Sequence, residues 1–483
     1  MIAELKQYSV YKESKADWLG CVPKHWIVLP NRAIFMEIKD REHPEEEMLS
    51  ITITRGIVPQ KDLLSDSAKK DSSNSDKSAY KLVQPHDIAY NKMRAWQGAI
   101  AASNHRGIVS PAYVVMRLRQ KANASAYFHH LYRTPQFAKE AERWSYGITS
   151  DMWSLRPEHF KLITTPLPPP DEQAAIVRFL DWANGRLERA IRAKRKVIAL
   201  LNEQKQAIIH RAVTRGLDPS VPLKPSGSPW LNEIPTHWDM RPLKGICAIQ
   251  SGITLGKDYG RQTVRAYPYL RVANVQAGYT KLLVIKTIRV PASEASRTML
   301  KSGDVLLTEG GDADKLGRGC VWNAEIAPCL HQNHVFSIRA DRRHLVPHFL
   351  AALTTTNYAR AYFQATAKQT TNLAATNKSK IGLFPVVLPL IDEQKLILSA
   401  IDETTSPIVR VARQHEREIE LLREYRTRLV ADVVTGKLDV REAAARLPAE
   451  SLDPSTEHEG VEAMDDGTDS IDGFETSDEE VAT

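Results

Sequence analysis

The sequence predicts an α+β protein: two mixed α/β domains in tandem repeat, separated by two long antiparallel coiled-coil helices, with approximate internal two-fold symmetry. Three observations predict it. A nine-residue motif occurs twice, a proline-containing strand running into Asp-Glu-Gln occurs twice, and each copy closes in an unbroken helical periodicity of about 40 residues.

The first copy opens Trp18-Leu19-Gly20-Cys21-Val22-Pro23-Lys24-His25-Trp26 and the second Trp230-Leu231-Asn232-Glu233-Ile234-Pro235-Thr236-His237-Trp238, displaced by 212 positions. Two of the matched types are rare, so chance identity is excluded. Each copy then reaches Asp-Glu-Gln, at Asp171-Glu172-Gln173 and at Asp392-Glu393-Gln394, now 221 apart, so about nine residues have entered the region between fixed ends. Asp171 and Asp392 are suited to cap the helices that follow, with acids in the first turn complementing the helix dipole. In the first helix Leu180, Ala183, Leu187, Ala190, Lys194, Val197, Leu201, Gln204 and Ile208 recur at threes and fours. In the second, Ile401, Ile408, His415, Leu422 and Leu429 lie seven apart, with Val411 and Tyr425 assigned to the other seam position. A sustained heptad means coiled-coil packing, and helices of about 40 residues would be roughly 60 Å long. The alternative is two independent helices, each packed on its own domain. Matching punctuation ends both: Val213-Thr214-Arg215-Gly216-Leu217-Asp218 and Val434-Thr435-Gly436-Lys437-Leu438-Asp439. The chain therefore divides into a first domain (1–165), a first helical spacer (166–222), a second domain (223–388), a second spacer (389–440) and an acidic tail read as disordered (441–483).

Between the anchors, β-rich runs such as Met48 to Thr54, Ala112 to Leu118 and Gly303 to Thr308 alternate with turn signals and amphipathic segments. Asp66 to Ser78 reads as a mobile loop. Composition is that of an ordinary globular chain, 42% hydrophobic and 25% charged. The four cysteines, Cys21, Cys247, Cys320 and Cys329, are too widely spaced for a disulfide framework or a zinc site. With no run of about 18 apolar residues and no signal-peptide start, a soluble, cytoplasmic protein without a membrane partner is expected. The formal charge of +7 is uneven: residues 449–483 hold 13 acids and no Lys or Arg, leaving +20 on the body. A body that basic fits a polyanionic partner such as nucleic acid, or a scattered solvated surface.

Three loops combine donors with flexibility. Asn91, Lys92, Arg94, Trp96 and Gln97 follow a strand; Lys315 and Arg318 lie in a glycine-rich loop; Gln332 and Asn333 sit between His331 and His334. Arg and Lys can pair with guanine edges, Asn and Gln with adenine, although exposed cations more often face solvent or phosphate and Gln332 or Asn333 could hold a turn. Catalytic motifs are missing. Gly252 to Asp258 is one residue short of a phosphate loop and has Asp where Ser or Thr should hold magnesium, no dinucleotide fingerprint occurs, and no Asn-Pro-Pro-Tyr-like methyltransferase tetrapeptide is present. His331 and His334 lack a third ligand at helical spacing. His25 and His237, each between Pro and Trp, point to a shared packing or capping role.

On the doubled opening, the doubled strand into Asp-Glu-Gln and helix, and the loops Lys92 to Gly98 and Thr308 to Asp312, residues 8 to about 440 resemble the specificity subunit of type I restriction-modification systems. The resemblance implies two target recognition domains, each reading half of a bipartite, asymmetric sequence in double-stranded DNA, held apart by two antiparallel helices that fix the spacer. It also implies that those helices dock two methyltransferase (modification) subunits, which methylate adenine with S-adenosylmethionine, and that restriction subunits join to translocate and cleave DNA with ATP and magnesium. On the helices, Leu180, Leu187, Leu201, Ile208, Ile401, Ile408, Leu422 and Leu429 are the candidate docking residues. The specificity subunit itself is expected to be non-catalytic and to hold no cofactor or metal. The acidic tail departs from the family, as a competitor for the basic body or a solubilising extension. Two other classes remain: a self-contained nuclease using carboxylates such as Asp87, Glu309 and Asp312, and a coiled-coil adaptor without DNA readout.

Overall fold

The computed structural model describes residues 5–65, 76–148, 152–311, 317, 319–369 and 374–448. Lys315, Arg318, Asp312, most of the Asp66 to Ser78 loop and the acidic tail from 449 lie outside the described residues. The chain forms two units: one comprises residues up to Ala193 together with those from Glu418 onward, the other Lys194–Arg417.

Unit one is built on β1 (Ile27–Pro30), β2 (Phe35–Ile38), β3 (Ile88–Asn91), β4 (Ile100–Ala102), β5 (Tyr113–Leu118), α1 (Ser125–Tyr132), α2 (Pro135–Arg143) and β6 (Thr164–Leu167), which leads into α3 (Pro170–Arg215). Its four-stranded sheet has the order β2-β5-β3-β4, antiparallel throughout, with Val115 opposite both Ile38 and Ala89. The run Val114-Val115-Met116 is apolar without alternation because both faces of β5 are covered. Val114 and Met116 pack with Tyr127, Phe128 and Leu131 of α1, while Val115 joins Ala89, Ala101 and Val109 on the other side. β1 and β6 pair as a separate antiparallel ribbon, so the strand that enters the unit lies beside the strand that leaves it.

Unit two repeats the plan with β7 (Asp239–Pro242), β8 (Cys247–Ser251), β9 (Val305–Thr308), β10 (Gly319–Val321), β11 (Val335–Ala340), α4 (Pro347–Thr354), α5 (Asn357–Thr366), β12 (Pro385–Leu388) and α6 (Ile391–Val434). The sheet order is β8-β11-β9-β10, and β7 pairs with β12. Both helix pairs turn on the same residue. Thr134 accepts from the Phe137 amide and Thr356 from the Ala359 amide, each capping the second helix.

The long helices have 46 and 44 residues. They start one residue earlier than the sequence suggests, at Pro170 and Ile391, so Asp171 and Asp392 stand in the first turn rather than at the cap. Within unit one the start of α3 runs antiparallel to the end of α6: Leu180 and Ala183 share a core with Leu429 and Val433, and Glu188 meets Arg426 at 3.1 Å. Within unit two, Val213 of α3 packs with Ile397 and Ile401 of α6. In the heptad row Ile401 and Leu429 are buried and Ile408, His415 and Leu422 half-buried, but its companion row differs. Val411 and Tyr425 are 42% and 41% exposed, whereas Thr405, Ala412, Ile419 and Val433 are buried. The seam thus alternates four and three from Ile401 through Thr405, Ile408, Ala412, His415 and Ile419.

Both helix ends stop at a glycine in the left-handed region, Gly216 (φ +75) and Gly436 (φ +79). The preceding Thr214 and Thr435 hydroxyls donate to the carbonyls of His210 and Ala431, four residues back. A Cβ on Gly436 would lie 2.3 Å from Pro23 Cδ and 3.0 Å from Trp26 Cζ3, and one on Gly216 would lie 3.3 Å from Trp238 Cζ2. Each helix terminus is therefore seated on an opening-motif tryptophan. The segment drawn above as tail begins packed: Arg441–Ala445 is helical, Ala443 and Ala444 join the unit-one core, and Arg178 Nη2 donates to the Leu447 carbonyl at 2.8 Å. The ordered body accordingly extends past 440.

Candidate nucleic-acid interface

The repeated motifs form a clamp that fixes each unit to its long helix. In unit one Glu172, in the first turn of α3, accepts from Trp26 Nε1 (2.9 Å) and Tyr8 Oη (2.5 Å), and pairs with His25 Nε2 (2.7 Å). In unit two Glu393 accepts from Trp238 Nε1 (3.0 Å) and pairs with His237 Nε2 (3.1 Å). The following glutamines do the same work twice. Gln173 Oε1 accepts from the Ala124 amide at the start of α1 while its Nε2 donates to Asn123 Oδ1 and the Pro168 carbonyl. Gln394 Oε1 accepts from the Val346 amide at the start of α4, and its Nε2 donates to the His344 and Pro389 carbonyls. The histidines and the Glu-Gln pairs thus hold the frame together, and orphan amides at the starts of α1 and α4 find acceptors.

That frame positions the loop joining the third strand to the edge strand of each sheet. In unit one this is β3 to β4. Asn91 Oδ1 accepts from the Met93 amide, Trp96 Nε1 donates to the Met93 carbonyl, Arg94 Nη1 reaches Gln97 Oε1 at 3.1 Å, and Gly98 closes the turn at φ +97. The five candidates, Asn91, Lys92, Arg94, Trp96 and Gln97, are all partly exposed on one turn. Trp96 rests edge-on against Trp153 (5.6 Å), and the Lys92 carbonyl accepts from the Leu155 amide. Nearby Lys81 points into the Pro111 and Tyr113 carbonyls, and burial with the like charges of Lys92, Arg41 and Lys39 lowers its pKa.

One organiser of this loop carries no sequence signal. Arg133, after α1, donates through Nη2 to the Ile53 (2.6 Å) and Thr54 (2.8 Å) carbonyls and through Nη1 to those of Gly98, Ile100 and Thr52. Burial pulls its pKa below the usual guanidinium value. It ties the 52–54 turn to the end of the candidate loop. Its counterpart position in unit two is Thr355, whose hydroxyl bonds only within its own helix.

In unit two the corresponding loop, β9 to β10, holds Gly310-Gly311, paired with Ala374-Ala375. Gln332 and Asn333 do form a turn: the Gln332 amide donates to the Leu270 carbonyl and the Asn333 amide to that of Ile253. Both side chains remain partly exposed. The segment that superficially resembles a phosphate loop is a seat for this turn. A Cβ on Gly252 would lie 2.0 Å from the His331 carbonyl, to which the Ile253 amide donates at 2.8 Å. His331 is buried and donates from Nδ1 to the Val335 carbonyl, and burial lowers its pKa.

Of the acids suspected of nuclease chemistry, Asp87 and Glu309 are engaged elsewhere, and Asp312 lies outside the described residues. Asp87 is buried and bridged by Arg117 at 2.7 and 2.8 Å, and its unit-two equivalent Asp304 by Arg339 at 2.8 and 2.7 Å. Glu309 pairs with His334. Among the described residues, no group of three His, Cys, Asp or Glu is arranged to hold a metal ion. Of the docking candidates, Leu180, Leu187, Ile401 and Leu429 are buried, and Leu201, Ile208, Ile408 and Leu422 are partly exposed. The apolar residues that the long helices do present to solvent are others: Val197, Leu200, Leu396, Val411, Leu421 and Tyr425.

A profile of the family described as type I restriction modification DNA specificity domain matches residues 235–421. The type I restriction enzyme EcoKI specificity subunit of Escherichia coli is 20% identical over 74% of this chain and 75% of its own length. The MjaX specificity subunit of Methanocaldococcus jannaschii is 23% identical over 38% of this chain, a match spanning 44% of that relative. The chain is thus similar to type I restriction specificity subunits, with the family profile confined to residues 235–421. A chain solved in a study of complex assembly and conformational transition of the type I R-M system has the same fold, with a TM-score of 0.59 at 15% identity, covering 86% of this chain and 99% of that one. Among the described residues no helix is long and apolar enough to cross a membrane.

Proposed function

We propose that this chain is the sequence-specific DNA-binding subunit of a type I restriction-modification complex and is itself non-catalytic. Each unit reads one half of a bipartite, asymmetric target in double-stranded DNA, and the two long helices lie antiparallel along one another as a spacer, giving the chain approximate two-fold symmetry. Residues 1–165 and 223–388 are the target recognition domains, and 166–222 and 389–440 the spacers. Two modification subunits carrying S-adenosylmethionine dock on the solvent-facing apolar residues of the helices and methylate adenine. Restriction subunits using ATP and magnesium complete a cytoplasmic assembly.

The observation that carries this reading is the doubled unit: the same sheet order and the same tryptophan, histidine and glutamate clamp, each ending in the same long helix. A fixed frame presenting different loops is what reading two unlike half-sites requires. Methylation-sensitive long-read sequencing of cells expressing the chain with its neighbouring modification subunit is expected to show one bipartite methylated motif. An unmodified genome would sink the proposal.

A further inference from the structure

We infer that the segment of unit two between β8 and β9, residues 252–304, is a phosphate-holding surface for duplex DNA that makes the two units electrostatically unequal. This rests on the DNA-binding function proposed above and assigns to one unit most of the sequence-independent attraction. In unit two the segment has nine Lys or Arg against Asp258, Glu294 and Asp304, a net +6; the equivalent stretch of unit one, 39–87, has eight bases and ten acids, a net −2. Asp304 is buried against Arg339, which removes it from the surface balance.

The cations are also differently engaged. Arg261, Arg265, Lys281, Lys286, Arg289 and Lys301 are all exposed, and none of the six enters an ion pair among the described residues. Only Lys257 of this segment does, with Glu294 at 3.1 Å. In unit one Lys61 is paired with Glu47, Lys39 with Glu37, and Lys81 is spent on carbonyls. The unit-two segment presents its charge on a two-stranded antiparallel ribbon, Val264–Leu270 against Lys286–Pro291. Tyr269 and Val290 are buried, with Tyr267 and Ile288 packed beside them, so alternation turns Ala266, Thr287 and Arg289 outward. The outward face is therefore small and polar apart from Arg289, whereas Arg265 and Lys286, opposite Val290 and Tyr269, share the register of the apolar face and are exposed at the two ends of the ribbon. A surface of unpaired like charges repels itself unless a polyanion lies on it, and displacing counterions from phosphates supplies the gain.

The test is the salt dependence of duplex binding by the full chain, using a duplex with its target and an unrelated duplex, between about 50 and 300 mM salt. Arg265→Gln, Lys286→Gln and Arg289→Gln combined should reduce the log–log slope by about 0.9 per contact, close to 3 in total, for both duplexes. The matched unit-one change, Lys39→Gln, Arg55→Gln and Lys61→Gln, should leave it unaltered. An unaltered slope in the unit-two variant, with target preference intact, overturns this inference while the DNA-reading function stands. Loss of target preference without a change in slope also overturns it, because the residues would then read bases. Failure of the unaltered chain to prefer its target brings down the function itself. Binding of an acidic protein surface in place of either duplex would do the same.

Discussion

The two units share their frame residue by residue and differ in almost everything laid over it. Glu172 and Glu393 occupy the same place and take the same Trp and His partners. Yet Glu172 has 5% side-chain exposure and a third donor in Tyr8, whereas Glu393 is 28% exposed. The stretch between the first two strands in sequence of the sheet carries −2 in one unit and +6 in the other, and Arg133 exists in one unit only. Repetition therefore marks what supports the loops, and departure from repetition marks what the loops do.

The largest expected effect sharpens the comparison of the clamps. Glu172→Ala leaves a tryptophan, a tyrosine and a histidine without their acceptor and should cost about 4 kcal/mol, against about 1 to 2 kcal/mol for Glu393→Ala. Denaturant unfolding monitored in both variants checks this, and equal losses would mean the clamps are equivalent after all. A second contrast lies along the helices. Leu180→Ala in the core should cost about 3 kcal/mol, whereas Leu200→Ala should change stability by under about 0.5 kcal/mol and instead weaken co-purification with modification subunits. Arg133→Met should weaken binding roughly tenfold through one half-site only, with the cost read by competing duplexes altered in one half at a time. Uniform loss at both halves would show that Arg133 supports stability alone. Lys92→Ala and Arg94→Ala should each cost about 1 to 3 kcal/mol if a base contact is lost, again with altered preference in one half-site; an adaptor without DNA readout would not notice either change.

The smallest effect is shared by the units. His129 is held down at about 3 by burial and the neighbouring charges of His130 and Arg133, and burial also lowers His331. Both then bind fewer protons folded than unfolded. Their stabilising contribution is complete above the ordinary histidine value near 6.5 and is lost as pH falls below it, for His129 down toward about 3. His129→Gln should flatten the acid limb of unfolding for unit one, and an unchanged limb would remove this histidine from the account.

The clamp was legible in the sequence because it occurs twice with rare residue types at fixed spacing. The heptad row was legible, but its companion was misassigned: the apolar Val411 and Tyr425 suggested one row, whereas the buried row runs through Thr405, Ala412, Ile419 and Val433, two of which carry little or no apolar signal. Arg133 left no trace because its partners are backbone carbonyls, which every residue possesses. The basic ribbon escaped for a different reason. Its charges alternate with apolar residues along two strands, so no short window looks basic, and only the strand pairing collects them on one element.

The seating of Gly436 on Trp26 bears on how the protein is born. Unit one is made of residues on both sides of unit two in the chain, and Leu429, Val433, Val434 and Val440 belong to the same core as Trp26. Unit two, by contrast, is bounded by Lys194–Arg417 and can close as soon as that span has emerged. The half of the molecule whose residues come first is therefore the half that finishes last, and for some 400 residues of elongation Trp26 waits for a helix end that does not yet exist.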